Sequence, residues 1–291
     1  MDRYEKAIAE SFVTTDDTVV AAEVAKILEK TPENATPEVY RFLLNSIDLT
    51  TLSSEDSQES VTHFTQGVNE FDEVHPELGH VAAICVYSNF AEVVQSALEV
   101  SGVDIAVVAG GFPSSQTFTA VKVADVALAV AGGANEVDVV MNLGYFRDKN
   151  YEELCDELIE LHHTAKGAKM KVILETGALK SAEAIKAASI LAMYSDADFI
   201  KTSTGKIYPG ASLEAAWVMC QCIKEYHAKT GRKVGFKAAG GIRTAADAVA
   251  YYTIVKEVLG EEWLNPDLFR IGASSLANNL LGVLGVTDFK F

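Results

Sequence analysis

Two patterns of apolar and polar positions alternate along this chain. Eight short runs are apolar or β-branched, at 46–52, 82–87, 104–110, 136–141, 171–176, 199–204, 235–240 and 269–274, and a helix-length segment follows each. Several runs are apolar at consecutive positions, as in Ile105-Ala106-Val107-Val108 and Val172-Ile173-Leu174. That suits strands covered on both faces, as in parallel sheets. The segments between them are amphipathic, most clearly 152–166 and 212–229, with Ser181 and Ser212 standing where N-caps belong. Eight such alternations predict a (β/α)8 TIM barrel over residues 46–285. A doubly wound sheet is the alternative, but no Gly-x-Gly-x-x-Gly opens the helix after the first strand. Residues 1–45 predict an N-terminal helical extension, with one helix over 16–30 and a second opened by Thr36-Pro37-Glu38. The extension could plug the closed end of the barrel, mediate association as in a homodimer, or lie as a solvated hairpin. Residues 286–291 are left as a C-terminal tail.

Charge narrows the partners. With 24 basic against 41 acidic residues the formal net charge is −17, which argues against nucleic acid and against an anionic membrane surface. An anionic substrate would have to be met locally, and Lys206, Arg243 and Arg270 are the candidates. Cys85, Cys155, Cys220 and Cys222 match neither a zinc spacing nor a disulfide framework. Reduced thiols in a cytoplasmic protein are expected. No apolar leader follows Met1, and no run of 18 apolar residues exists to span a membrane.

In such barrels the chemistry sits at the carboxyl ends of the strands. The ionisable residues inside the apolar runs are Asp48, Asp138, Glu175, Lys201, Lys237 and Arg270, with Cys85 beside them. Charged residues are rarely buried unpaired, so this set predicts a site rather than an inert core. Lys201 and Lys237 fall on adjacent strands at similar distances from their terminal glycines. Making a lysine half neutral at pH 7 takes roughly 4.6 kcal/mol. A second ammonium about 4 Å away supplies roughly 4 kcal/mol at an effective dielectric of about 20. Repulsion plus partial desolvation therefore suffices to make an amine nucleophile. Asp138, flanked by valines, would shuttle protons or pair with a lysine. Glu175 could do the same, and the sequence does not rank the two. Glu136, at its strand's entrance, is expected at the surface or rim.

Glycines punctuate three consecutive strand ends: Thr204-Gly205-Lys206, Gly240-Gly241-Ile242-Arg243 and Gly272-Ala273-Ser274-Ser275. Barrel enzymes commonly hold phosphate in the last two of these loops, after strands seven and eight, and at a helix N-terminus, and Ser274-Ser275 stands where such a helix would start.

Taken together, Ser-Ile-Asp-Leu-Thr-Thr-Leu, Ala-Ala-Ile-Cys-Val-Tyr, Asn-Glu-Val-Asp-Val-Val, Val-Ile-Leu-Glu-Thr-Gly, Asp-Phe-Ile-Lys-Thr-Ser-Thr-Gly-Lys, Gly-Phe-Lys-Ala-Ala-Gly-Gly-Ile-Arg-Thr and Arg-Ile-Gly-Ala-Ser-Ser-Leu resemble the deoxyribose-phosphate aldolases, a class I aldolase family. The resemblance runs from about Asn45 to Leu284. It implies reversible cleavage of 2-deoxy-D-ribose 5-phosphate to glyceraldehyde 3-phosphate and acetaldehyde, with no metal and no cofactor. The partners would be small phosphosugars and aldehydes. Lys201 then matches the Schiff-base lysine, Lys237 the lysine that lowers its pKa, and Asp138 the aspartate of a proton relay. Asp48 and Cys85 match pocket positions, and Thr50 and Thr204 lie beside the sugar hydroxyls. Gly205, Lys206, Gly240, Gly241, Ser274 and Ser275 match the phosphate loops. Three departures stand out: Lys237-Ala238-Ala239 replaces a Lys-Pro-Ala stretch, the chain ends in Phe291 where some members have tyrosine, and the N-terminal extension is longer than in the shortest members. Another lysine-dependent barrel, such as a transaldolase or keto-acid aldolase, is one rival. A non-catalytic phosphosugar-binding barrel is the other.

Overall fold

The eight apolar runs become eight strands. The computed structural model describes residues 2–291. Its strands are β1 (Ile47–Thr50), β2 (Ala83–Tyr87), β3 (Asp104–Ala109), β4 (Glu136–Val140), β5 (Lys169–Ile173), β6 (Phe199–Lys201), β7 (Gly235–Ala239) and β8 (Phe269–Ala273). They close into a barrel in sequence order, each parallel to its neighbours, with β8 pairing back onto β1. The (β/α)8 architecture is thus the observed one. Before the barrel come α1 (Arg3–Ala9), α2 (Asp17–Leu28) and α3 (Pro37–Leu44). Among the barrel's own helices are α4 (Gln58–Val74), α5 (Ala91–Ala97), α6 (Thr119–Ala131), α7 (Leu143–Arg147), α8 (Tyr151–Thr164) and α9 (Thr176–Leu179). The chain continues through α10 (Ala182–Tyr194), α11 (Leu213–Thr230), α12 (Ala245–Leu259) and α13 (Ser275–Val283).

Strand alternation sorts the side chains into two sets. Ile84, Val86, Val107, Val137, Val139, Val172, Ile200, Phe236 and Ile271 join the large apolar core beneath the helices. Ala83, Cys85, Ala106 and Val108, from β2 and β3, form a separate small cluster inside the barrel with Leu52, Tyr87 and Phe112. Much of the rest of the interior is charged, beside Val140, Ile173 and Phe199. Ser181 and Ser212 cap α10 and α11 as expected, accepting from the N–H groups of Ala184 and Ala215.

Two expectations are corrected. The fifth strand begins at Lys169, not residue 171, and ends at Ile173. Glu175 then takes a left-handed φ of 56° and opens the short helix α9, so the run through residue 176 is not all strand. The N-terminal extension is no solvated hairpin. Its α1 packs on α8 and α10, α2 on α11 and α12, and α3 on α12 and α13, with Val20, Val24, Leu43 and Leu44 buried. The first helix, α1, was not read from the sequence, although Asp2 and Glu5 form a capping box at its start. Among the described residues, no helix is long and apolar enough to cross a membrane.

Candidate active site

Register builds the interior charge cluster. Lys201 on β6 pairs with Lys237 on β7, and Lys237 with Arg270 on β8. Glu136 and Asp138 on β4 lie opposite Lys169 and Lys171 on β5. Residues two apart share a face, so this Glu-x-Asp and Lys-x-Lys pair forms a ladder of opposite charges down one side of the barrel. Gly272, between Arg270 and Ser274, leaves the room Lys237 needs: a Cβ there would stand 3.1 Å from Lys237 Cε.

The cluster runs in layers from floor to mouth. At the floor Arg270 donates to Asp48 at 2.6 Å, Glu136 at 2.9 Å and Asp104 at 3.2 Å. Above it Lys171 donates to Glu136 and, at 3.1 Å, to Asp138 Oδ1, and lies 3.5 Å from Asp48. Lys237 donates to Asp48 and, at 2.7 Å, to Asp138 Oδ2. At the top Lys201 donates to Asp138 Oδ2 alone, also at 2.7 Å. The two ammonium nitrogens that share this oxygen are therefore within twice 2.7 Å, or 5.4 Å, of each other. The number of carboxylates per lysine thus falls from three to two to one on the way up.

Only the lysine with a single carboxylate loses basicity. Lys201 is held below the ordinary lysine value by burial first of all, with Lys237 adding to it and Asp138 opposing. Burial also acts on Lys237, but the carboxylates of Asp138 and Asp48 outweigh it and push its pKa up. Lys171 is likewise raised against burial by Asp138, Glu136 and Asp48. Asp138 resists the upward pull of burial and stays well below the carboxylate range because Lys171, Lys201 and Lys237 surround it. The sequence argument is corrected here on one point. Desolvation leads repulsion at Lys201, and the second ammonium is not itself made less basic.

Several placements differ from expectation. Glu136 is not a rim residue but fully buried, drawn in by Lys171 and Arg270. Arg270, offered as a phosphate ligand, is 2% exposed and committed to three carboxylates at the floor. Glu175 does not compete with Asp138; its carboxylate accepts from Thr204 Oγ1 at 2.6 Å and Thr204 N at 3.2 Å, fixing the loop after β6. Lys171 went unrecognised as an interior lysine. Its signal was the period-two Lys169-Met170-Lys171, readable only once the strand's start was known.

Above Lys201 opens a cavity of about 270 Å³. Thr50, Thr204, Gly205, Lys206, Gly240, Gly241, Ser274 and Ser275, all expected site residues, line it together with Arg243 and Lys201 itself. Asp48 and Cys85 lie outside that lining: Asp48 beneath Lys237, Cys85 in the apolar cluster of β2 and β3. Burial pushes the Cys85 thiol up. Gly240 sits at φ +90°, and a Cβ there would come within 2.6 Å of Ser203 Oγ. Lys206 donates to the carbonyl of Leu52 and so spans from the loop after β6 to the loop after β1. Ser274 and Ser275 are exposed at the N-terminus of α13. Free N–H groups and the helix dipole there favour an anion, while Lys206 and Arg243 supply the local positive charge that a chain of net −17 lacks overall.

Comparison with known proteins agrees with this geometry. A family model described as DeoC/LacD family aldolase matches residues 42–280. A Caenorhabditis elegans relative is 38% identical over 280 residues, 96% of this chain and 91% of the relative. The human deoxyribose-phosphate aldolase is 40% identical over 244 residues, covering 80% of this chain and 77% of the human one. Among solved structures, the tetrameric deoxyribose-phosphate aldolase of Aeropyrum pernix superposes with a TM-score of 0.67 at 25% identity, over 89% of this chain and 97% of that one.

Proposed function

This chain belongs to the DeoC/LacD family of aldolases, it is an enzyme of the lyase class, and on that premise we propose that it cleaves 2-deoxy-D-ribose 5-phosphate reversibly through an imine on Lys201. The observation that carries the proposal is that Lys201, alone among the three interior lysines, meets a single carboxylate and lines the cavity, a setting in which burial holds its pKa below the ordinary lysine value. The neutral amine adds to C1 of the open-chain aldehyde, and the carbinolamine loses water to give an iminium. A base takes the proton of the C3 hydroxyl, the C2–C3 bond breaks, and glyceraldehyde 3-phosphate leaves. The remaining enamine takes a proton at C2, and water releases acetaldehyde and the free amine.

Asp138 is the group placed to pass these protons, directly to Lys201 and through water to the substrate. A carboxylate held so far below its usual range returns a proton at once, which suits a relay rather than a store. Lys237 remains cationic at neutral pH and keeps Asp138 ionised. The phosphate would rest on Gly205, Gly240, Gly241 and the start of α13, with Lys206 and Arg243 neutralising it. The small apolar wall of Ala83, Cys85, Ala106 and Val108 suits the two-carbon aldehyde fragment. All four thiols are free and buried, which supports a cytoplasmic setting.

The test is borohydride reduction in the presence of 2-deoxyribose 5-phosphate, followed by intact-mass measurement and peptide mapping. A reduced adduct on the peptide carrying Lys201, absent from Lys201→Ala, is expected. If no lysine is modified while a control aldolase is, the imine mechanism is wrong.

A further inference from the structure

Among the described residues five carboxylates are buried: Asp48, Glu136, Asp138, Glu157 and Glu175. Four of them pair with a lysine or arginine: Asp48 with Arg270, Glu136 with Lys171, Asp138 with Lys201 and Glu157 with Lys122. Glu175 is 1% exposed and pairs with no cation among the described residues. Both of its donors belong to Thr204, whose Oγ1 donates to Oε2 at 2.6 Å and whose N donates to Oε1 at 3.2 Å. Taking a carboxylate out of water without a counter-ion is costly. Glu175 also lies in the left-handed region, at φ 56° and ψ 58°, which a residue with a β-carbon enters only under strain. It stands at the N-cap position of α9 yet makes no capping bond there. Burial, strain and an unused cap all serve one contact, with Thr204.

The hydroxyls of Thr202-Ser203-Thr204 divide accordingly. Thr202 and Ser203 both donate to the carbonyl of Ala239, at 3.0 and 2.7 Å. Both are fully buried and neither lines the cavity, whereas Thr204 does. A hydroxyl has one proton to give and two lone pairs. An ionised carboxylate only accepts, so the Thr204 proton is committed to Glu175. One lone pair receives the N–H of Lys206 at 3.2 Å. What Thr204 can still offer a ligand is the other lone pair.

We propose that Glu175 is a positioning residue that sets substrate specificity: by holding the Thr204 proton it makes that hydroxyl an acceptor only, so the cavity selects a sugar with a hydroxyl donor beside it. The inference rests on the reading of the cavity as the site of 2-deoxyribose 5-phosphate. With C1 on Lys201 and the phosphate at C5, the open-chain sugar keeps two hydroxyls, at C3 and C4. The C3 hydroxyl gives its proton to the relay through Asp138. Thr204 directly precedes Gly205-Lys206, in the loop assigned to phosphate, so the hydroxyl it meets is the one next to the phosphorylated carbon, at C4. That hydroxyl then has to donate. A Thr204 hydroxyl free to rotate could donate or accept, and would read C4 less strictly.

Exchanging the donor at C4 for a group without a proton tests the idea. Acetaldehyde release from 2-deoxyribose 5-phosphate is compared with release from its 4-deoxy-4-fluoro analogue, whose fluorine fills the place of the hydroxyl but cannot donate. Wild type is expected to prefer the hydroxyl sugar by roughly a hundredfold in kcat/KM, because the analogue turns fluorine towards a lone pair. Glu175→Gln keeps the shape, but its one oxygen accepts from Thr204 N while its amide NH2 faces Thr204 Oγ1, which frees the hydroxyl proton. The preference should then fall below about tenfold. Glu175→Met removes the acceptor altogether and should have the same effect. Since Glu175 acts through this one hydroxyl, adding Glu175→Gln to Thr204→Val should leave the preference where Thr204→Val alone puts it. A residue that merely braces the loop would lower the rates on both sugars together. A preference unchanged in both Glu175 variants, or absent from wild type, overturns the proposal and leaves the aldolase reading standing. If wild type releases no acetaldehyde from either sugar, the aldolase reading fails and this inference fails with it.

Discussion

Replacing Lys237 by leucine isolates the electrostatic part of the mechanism. The two nitrogens share Asp138 Oδ2 and are no more than 5.4 Å apart. At an effective dielectric of about 20, their repulsion is then at least roughly 3 kcal/mol. Since about 1.4 kcal/mol corresponds to a tenfold change in protonation, losing the second cation should make Lys201 about a hundredfold harder to deprotonate. Asp138 pushes the same way, because with one cation fewer around it, its charge acts more fully on Lys201. The acid limb of the pH profile of kcat/KM, which reports groups of the free enzyme, should therefore move up by roughly two pH units. A coupled retro-aldol assay with 2-deoxyribose 5-phosphate across pH 5.5 to 9.5 would show it. Lys237→Arg retains the cation and should leave the limb near its wild-type position. If Lys237→Leu lowers kcat uniformly with no movement of the limb, Lys237 does not set the basicity of Lys201.

Three further outcomes follow from the same geometry. Lys171→Met takes one cationic partner from each of Glu136, Asp138 and Asp48, which keep Arg270, Lys201 and Lys237 as partners, and should cost about 1–3 kcal/mol in urea denaturation, the usual penalty for a lost buried hydrogen-bond partner; a loss under about 0.5 kcal/mol would mean the ladder contributes little. Ser275→Asp places a carboxylate at the start of α13 and should raise KM for the phosphorylated sugar about tenfold, near 1.4 kcal/mol, without affecting unphosphorylated 2-deoxyribose. An equal rise for both sugars would remove the anion site from that helix. Asp48 and Asp138 are depressed in the folded state, so their stabilisation is complete above the unfolded value of about 4 and is lost as pH falls through their folded values. The melting-temperature gap between wild type and Asp138→Asn should accordingly narrow below about pH 4, and a constant gap would count against that account.

The sequence carried the barrel because apolar runs with no polar interruption say that both faces are covered, whatever covers them. It marked Lys201, Lys237 and Asp138 as interior charges, which they are, because an ionisable residue in an apolar run cannot be solvated by its neighbours. It misjudged Glu136 and Lys171 for one shared reason. Each stands near the start of its run, and a charge near a strand's entrance looks like a boundary until the register is known. Only the pairing of Glu136 with Lys169 and Asp138 with Lys171 shows that these charges face one another across the interior. Arg270 misled in the opposite direction: a guanidinium on the eighth strand suggests phosphate, but it lies four residues below the loop and on the floor.

Charge balance singles out one lysine of three for the proposed role of nucleophile. The buried members of the network are four cations, Lys171, Lys201, Lys237 and Arg270, against three carboxylates, Asp48, Glu136 and Asp138. At the solvent edge of the floor Lys169 pairs with Asp267 at 2.8 Å, and Asp104 lies 3.2 Å from Arg270 and 3.7 Å from Lys169. Within the fully buried set alone, full ionisation would leave one positive charge in excess, in a medium where an unpaired ion costs several kcal/mol. The excess is relieved most easily at the cation with the fewest carboxylates, and that is Lys201, with one. The same site is the one open to the cavity, so the amine that must give up its proton is also the amine a substrate can reach. In the proposed mechanism the lower layers act without touching substrate: their carboxylates neutralise Arg270, Lys171 and Lys237 and leave the imbalance at the mouth of the barrel.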